Sequence, residues 1–318
     1  MSKQEKLQSE VVERPDDMEV EPPTEPHTHI QPFEFLKIDD NVEERTALMI
    51  LNQSLHGLNL RALWKRTNIH ICADGGANQL FDYFQDKTNE SSTALREQYI
   101  PNYIVGDFDS LRDDVRSYYE IRGTRVIEQT SQYSTDFMKA MSTIQLHFHS
   151  DTSRKHLREG EINNNNGIDV YLDTIKIVPS EQSDIKIYIL SGIGGRFDQT
   201  IHSISQLYQL NSSHSHLQLF FLTKDDLIFL LKKGKNYISY PAKSSFHHAR
   251  KVPVCGLLPL GNSTIMLSSY GLKYDVSNWE SRIAGNVSSS NGLSGINGVI
   301  VDSSDPIVMN IEINLELS

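Results

Sequence analysis

Cysteine is nearly absent: Cys72 and Cys255 are the two thiols in 318 residues, and they lie far apart. Two such residues build neither a disulfide framework nor a zinc-ligand spacing, so both read as buried apolar thiols. Long apolar runs are missing too. No segment approaches the roughly 18 consecutive apolar residues of a membrane span. The N-terminal stretch "MSKQEKLQSEVVERPDD" has no apolar core of a secretory signal. The expectation is a soluble, cytoplasmic protein with no membrane partner. Positive charge is scarce: 30 Lys and Arg stand against 41 Asp and Glu, a net charge of -11. Phosphate backbones are bound by Lys and Arg, so this balance argues against nucleic acid as a partner. It leaves room for a phosphorylated small molecule in a local site. Neither G-x-x-x-x-G-K-[ST] nor G-x-G-x-x-G occurs, which excludes a P-loop and the usual dinucleotide fingerprint.

The composition, 38% hydrophobic and 22% charged, suits a protein with a real core, and the length fits two domains. Residues 1–32 carry eight acidic and three basic side chains and five prolines. A stretch so polar buries too little apolar area to offset its ordering entropy, and the expectation is a disordered acidic tail. Residues 33–224 read as an α/β domain. Short apolar runs such as "TALMILN" (46–52), "NIHICA" (68–73), "NYIV" (102–105), "TRVI" (124–127), "IKIYILS" (185–191) and "LQLFFLT" (217–223) alternate with helical patterns. Strand then helix, repeated, predicts a parallel, Rossmann-like sheet. After Ser110, a predicted N-cap, Leu111, Val115 and Tyr118 share a helix face; after Asp198, Ile201, Ile204 and Tyr208 do the same. A polar interval at 150–184, with "NNNN" at 163–166, reads as a partly disordered insertion with a short ordered piece around "IDVYLDTIKIV". Residues 225–318 lack helical periodicity and read as a β-sandwich, with "KKGK" (232–235) as a hairpin turn between its first two strands.

The chemistry gathers at strand ends, where parallel α/β sheets bind ligands. "ADGGAN" (73–78), "GDFDS" (106–110), "EQTSQYSTD" (128–136) and "GIGGRFDQ" (192–199) each deliver an aspartate: Asp74, Asp107 with Asp109, Asp136, and Asp198. Asp107 and Asp109 flank Phe108. If strand alternation persists, both carboxylates point one way, and they repel unless a cation or a proton lies between them. Oxygen ligands of this kind suit Mg²⁺. Asp136 and Asp198 also fit as first-turn acids of helices. Gly75, Gly76, Gly194 and Gly195 allow positive φ and close backbone approach, as phosphate loops require; tight strand-to-helix turns want the same residues. Arg196 is the cation among these loops, suited either to a phosphate or to an ion pair with a nearby aspartate. His147, His149, His214, His216, His247 and His248 read as solvated.

In this order, "ADGGAN", "GDFDS", "QYSTD" (132–136) and "GGRFDQ" (194–199) resemble the thiamine pyrophosphokinase family, as do "SYGLKYDV" (269–276) and "VSSSN" (287–291) in the β-rich part. The resemblance covers roughly 45–149 and 185–317. It implies transfer of the β,γ-diphosphate of ATP to the hydroxyl of thiamine, leaving AMP, by a homodimer with the thiamine site near the subunit interface. Carried over by motif, Asp107, Asp109 and Asp136 hold Mg²⁺, and Gln132, Thr135, Arg196 and Asp198 surround the transferring group. Asp74, Gly75, Gly76 and Asn78, with Gly194 and Gly195, contact the nucleotide. Tyr274, Ser288, Ser290 and Asn291 hold thiamine. The family has Trp where this chain has Tyr274, and Trp279 is an alternative platform for the vitamin ring. Two other readings are open to a D-x-D pair: a metal-dependent glycosyltransferase, and a non-catalytic nucleotide or thiamine sensor.

Overall fold

The structure is a computed structural model. It describes residues 10–33, 45–58, 60–84, 91–160, 162–175, 183–261 and 264–314, and of 91–93 the backbone alone. The chain divides into two compact units, Asp39–Thr223 and Met1–Ile38 with Lys224–Ser318.

Strands β1 (Glu10–Glu13) and β2 (Thr28–Ile30) open the described chain. In the unit Asp39–Thr223 the strands are β3 (Thr46–Ile50), β4 (Ile69–Ala73), β5 (Tyr103–Gly106), β6 (Arg125–Glu128), β7 (Ile185–Leu190) and β8 (Leu217–Leu222). The helices are α1 (Leu60–Lys65), α2 (Gly76–Asp82), α3 (Ser91–Arg96), α4 (Asp113–Glu120), α5 (Asp136–His149), α6 (Asp151–Glu159), α7 (Gly167–Ile175) and α8 (Phe197–Ser213). The strands pair in the order β8-β7-β3-β4-β5-β6, every pairing parallel. Every residue of β3 and β5 is buried, as in a strand covered on both faces. The order reverses at β3, where β4 runs to one side and β7 to the other. In such sheets a ligand crevice forms beyond the strand carboxyl ends at that reversal.

Two helix details depart from the sequence reading. α4 begins after Arg112, not Ser110, and buries Val115 and Tyr119 rather than Tyr118. α8 buries Ser203, Gln206, Leu207 and Leu210, while Phe197 and Ile201 remain exposed. The interval 150–184 is more ordered than its composition predicts. Its described residues form α6 and α7, which pack on α5. Leu157, Ile162 and Ile168 are buried, and Gln129 pins the segment: its Nε2 donates to Ile162 O (2.6 Å) and its Oε1 accepts from Ile168 N (2.9 Å). Residues 161 and 176–182, the latter including the end of "IDVYLDTIKIV", lie outside the described residues. His147 and His216 are buried rather than solvated. His147 Nδ1 shares a 2.9 Å hydrogen bond with Tyr103 Oη, and burial pushes its imidazole down to about 4.

The second unit continues with β9 (Asp226–Leu231), β10 (Gly234–Ser239), β11 (Val254–Leu258), β12 (Ile265–Tyr270), β13 (Tyr274–Ser277), β14 (Trp279–Ser281), β15 (Ser288–Gly292), β16 (Gly298–Ser303) and β17 (Ile307–Glu312). Its strand rows are β14-β12-β16-β10-β2 and β15-β11-β17-β9, with β1 paired to β13. The "KKGK" hairpin is not formed. β9 pairs with β17 and β10 with β16, so Lys232 and Lys233 carry the chain from one row to the other. Gly234 makes the corner at φ 93°, and Asn236 Oδ1 accepts from Lys232 N (3.0 Å).

The expected disordered tail, residues 1–32, is also corrected for residues 10–32; residues 1–9 lie outside the described residues. β1 adds antiparallel to β13 and β2 adds parallel to β10. Val20, Ile30 and Phe33 are buried. Composition misleads here because the segment borrows its partners: edge strands supply backbone bonds, and lysines of the β unit meet its acids. No helix among the described residues is long and apolar enough to cross a membrane.

Candidate active site

The carboxylates of Asp74, Asp107 and Asp109 each present an oxygen within 4.8 Å of the others. Asp74 follows β4, and Asp107 and Asp109 follow the neighbouring β5. Strand alternation is not what aligns the latter two. β5 ends at Gly106, and Phe108 takes a left-handed φ of 66°. A turn, rather than a pleat, brings the two acids round, and Asp109 N donates to Asp107 Oδ1 (3.3 Å). Arg116 lies over the Phe108 ring at 5.2 Å and helps hold the turned residue.

Gly106 is what lets the acids close up. A Cβ there would stand 2.8 Å from Asp74 Cβ and 3.2 Å from Asp136 Oδ1. Gly75 and Gly76 serve a different end from the positive φ expected of them. Gly75 has φ -59°, and it is Asp74 that is left-handed, at φ 43°. A Cβ on Gly76 would meet Ile50 O at 2.2 Å, so this glycine lets α2 start against the end of β3. Gly194 and Gly195 do take positive φ, 100° and 61°.

Asp74 is 4% exposed, and its Oδ1 has no hydrogen-bond partner. Burial, with Asp136 and Asp109 nearby, pushes its carboxyl up to about 6, against the Gly75 backbone hydrogen bond. An unpartnered buried carboxylate oxygen is costly. A hard cation among the three carboxylates answers that cost, and all-oxygen donors of this kind fit Mg²⁺. Asp74 thus stands with Asp107 and Asp109 in the group of carboxylates whose oxygens lie close together. Asp136 lies against this group: its Oδ1 accepts from Lys139 Nζ (2.9 Å) and from Asp107 N (3.3 Å). Burial raises its carboxyl, and the Lys139 ammonium opposes that rise. Asp107, although burial raises it, is held below the ordinary carboxylate value by the Gln132 amide, whose Nε2 donates to its Oδ2 (2.7 Å).

Lys139 was missed by sequence reasoning. Its side chain is 3% exposed, a buried ammonium beside an acidic cluster. The signal was present as Asp136-x-x-Lys139, an i, i+3 spacing that stacks the two on one helix face. Thr135 caps α5, its Oγ1 accepting from Met138 N (3.3 Å). Asn78 ties two strand-end loops together: its Nδ2 donates to Ser110 O (2.7 Å), and its Oδ1 accepts from Arg112 N (3.1 Å). Arg196 and Asp198 form a two-point ion pair, Nε to Oδ1 at 3.1 Å and Nη2 to Oδ2 at 2.6 Å, both well exposed. This is the ion-pair alternative for Arg196, and it leaves Asp198 outside the carboxylate trio.

In the β-rich unit, Asn291 joins three of the four predicted vitamin-site residues. Its Oδ1 accepts from Tyr274 N (2.9 Å), and its Nδ2 donates to Tyr274 O (2.9 Å) and to Ser288 Oγ (3.4 Å). Asn291 is buried, while Tyr274 on β13 is 45% exposed. Ser290 is exposed and left-handed, at φ 57°. Trp279 is half-buried on β14.

Comparisons with known proteins converge on one family. Residues 60–221 match the family described as "Thiamin pyrophosphokinase, catalytic domain", and residues 243–308 match "Thiamin pyrophosphokinase, vitamin B1 binding domain". The first match runs through the 150–184 interval. The thiamine pyrophosphokinase of Saccharomyces cerevisiae is 41% identical over 288 residues, 87% of this chain and 88% of that protein. A solved structure, thiamin pyrophosphokinase from Candida albicans, has a TM-score of 0.86 and 46% identity, covering 97% of this chain and all of the other. The crystal structure of yeast thiamin pyrophosphokinase has a TM-score of 0.83 and 38% identity, over 96% of this chain and 97% of that one. Two family matches in series, a relative this similar over this length, and a mixed α/β fold with a β-rich C-terminal region lead to one conclusion: the chain belongs to the thiamine pyrophosphokinase family.

Proposed function

We propose that this chain is a thiamine pyrophosphokinase: it moves the β,γ-diphosphate of ATP onto the hydroxyl oxygen of thiamine, with Mg²⁺, giving thiamine diphosphate and AMP. The observation that carries this reading is the convergence of Asp74, Asp107 and Asp109, with an unpartnered buried oxygen, at the carboxyl edge of a parallel sheet in a chain of this family. Those three carboxylates would hold the ion. Bound there, Mg²⁺ would offset negative charge on the ATP phosphates. Asp136, kept in place by Lys139, lies next to the trio and completes its acidic wall.

The remaining residues divide by what they can reach chemically. Beyond the Gly194–Gly195 turn, the N-terminus of α8, which has no side-chain cap, offers backbone N–H groups and a favourable dipole to phosphate oxygens. Arg196 is exposed and can exchange Asp198 for a phosphate, which it would grip at two points. Asp198, released from that pair, can take the proton of the thiamine hydroxyl as its oxygen bonds to the β-phosphorus and the bond to AMP breaks. Gln132 holds Asp107 in its orientation. Thiamine is taken to lie on Tyr274, with Ser288, Ser290 and Asn291 about it. An exposed tyrosine face suits a cationic thiazolium.

The reading takes the parallel sheet as a Rossmann-like nucleotide layer and the β-rich unit as a sandwich. It takes the working form as a cytoplasmic homodimer with the vitamin near the interface. Exposed apolar side chains on β1, β12 and β13, Val11, Tyr270 and Tyr274, support an interface there. A glycosyltransferase would account for Asp107 and Asp109 but not for Asp74 or the match to the vitamin-binding domain. Incubation with ATP, Mg²⁺ and thiamine tests the proposal: AMP and thiamine diphosphate should form one for one. Release of ADP with thiamine monophosphate, or no turnover, would overturn it.

A further inference from the structure

The segment from Glu10 to Val20 lies outside both family matches, which begin at residues 60 and 243. It is nonetheless built onto the strand that carries Tyr274. β1 pairs with β13 in the register Glu13↔Tyr274 through Glu10↔Ser277. Beyond β1, contacts fall on both chain neighbours of Tyr274. Arg14 N donates to Lys273 O (2.8 Å), and Lys273 Nζ returns a bond to Arg14 O (2.9 Å) and reaches Asp16 Oδ1 (3.1 Å). Arg14 Nε donates to Asp275 Oδ2 (2.8 Å).

Asp275 is 2% exposed and is the hub of the turn before β13. It also accepts from Ser269 Oγ (3.0 Å), Gly271 N (3.1 Å) and Leu272 N (3.0 Å). Farther along, Lys243, itself buried, donates to Asp16 O (2.5 Å) and Asp17 Oδ1 (2.6 Å), and Lys251 adds to both acids. Met18 N donates to Ser294 O (3.1 Å), and Met18 O accepts from Ile296 N (2.9 Å). Val20 is fully buried, and its N–H donates to Asn297 Oδ1 (3.0 Å).

From these contacts we infer that the segment Glu10–Val20 is a strap that positions Tyr274 for thiamine, with Arg14, Asp16 and Asp17 as its positioning residues. The inference rests on the reading that Tyr274 and Asn291 contact the vitamin. The physical reason is that the Tyr274 backbone is fixed from two sides. Asn291 holds its own N–H and C=O, and the strap holds residues 273 and 275. A short strand with one of those holds removed would let the ring drift, and supporting groups that fail by about 1 Å cost substantial binding. A strap that merely covers a sheet edge would affect stability alone. Charge, not apolar burial, does most of the fastening around Asp16 and Asp17, so the effect should weaken with salt.

The test uses the full-length enzyme and the double substitution Asp16→Asn with Asp17→Asn, beside Arg14→Lys and Tyr274→Ala. Thiamine KM, ATP KM, kcat and the melting temperature are measured for each. The expected result is a thiamine KM raised about 10-fold in the double variant, with kcat and ATP KM within about 2-fold. Arg14→Lys should fall between wild type and the double variant. In wild type, thiamine KM should rise with added NaCl, and this rise should be blunted in the double variant. If the double variant does not fold, the wild-type salt dependence and Arg14→Lys carry the test. A lowered melting temperature with unchanged thiamine KM, while Tyr274→Ala raises that KM, would overturn the strap alone. An unchanged thiamine KM in Tyr274→Ala would overturn the site reading, and the inference with it.

Discussion

Two aspartates in this molecule are almost equally buried and have opposite surroundings. Asp275, in the β-rich unit, is 2% exposed, and four donors meet its two oxygens. Asp74, in the α/β unit, is 4% exposed, left-handed in its backbone, and has an oxygen with no partner. A buried carboxylate with every lone pair met holds structure together. One left short of donors, with other carboxylates turned toward it, is kept for a ligand. The first kind belongs to stability and the second to chemistry, and substitutions should separate them.

The largest expected effect is on turnover. Asp107→Asn or Asp109→Asn should lower formation of thiamine diphosphate by about 10³-fold or more, with little change in melting temperature. A large drop in melting temperature would make these acids structural and erase the contrast with Asp275. Asp275→Ala should do the reverse. It strands Arg14 and the amides of Gly271 and Leu272, and stability should fall by about 3 kcal/mol in urea unfolding, with kcat per folded molecule retained. Gly106→Ala comes next. The added methyl must displace Asp74 or Asp136, and Mg²⁺ affinity measured by calorimetry should fall about 10-fold while the fold persists.

The smallest effect concerns buried bases. Burial pushes His70 and His147 from 6.5 down to about 4. Below 6.5 the unfolded chain takes up protons that the folded chain refuses. Stability should therefore fall as pH drops from about 6.5 to about 4 and level off below. Replacing His147 with Gln, which can still bond to Tyr103, should reduce that loss by about 1 kcal/mol one pH unit below the ordinary imidazole value. Urea midpoints across this range check it.

Much of the site was legible in the sequence because strand ends in a parallel sheet are fixed by period and length. The runs ending at Ala73 and Gly106 put Asp74, Asp107 and Asp109 at the carboxyl ends of strands. What the pattern could not carry was which carboxylate joins which. The motif reading gives Asp136 to the metal without its neighbour Lys139, one turn on, whose ammonium meets it at 2.9 Å. Period-two alternation gave the right convergence of Asp107 and Asp109 for the wrong reason, since Phe108 is left-handed. The strap was invisible to composition. Its eleven residues Glu10–Val20 are acidic and proline-bearing, and their partners Lys243, Lys251 and Lys273 lie more than 200 positions away. The same distance hid the "KKGK" error, because two strands adjacent in sequence each find a farther partner.

The central claim is that Asp74, Asp107 and Asp109 form a cation site and that Asp198 is not part of it. Titration of Mn²⁺ into the protein, followed by electron paramagnetic resonance, tests this directly. The account predicts saturable binding that Mg²⁺ displaces, that is lost in Asp107→Asn and in Asp109→Asn, and that is kept in Asp198→Asn. Unchanged binding in Asp107→Asn, or its loss in Asp198→Asn, would contradict it.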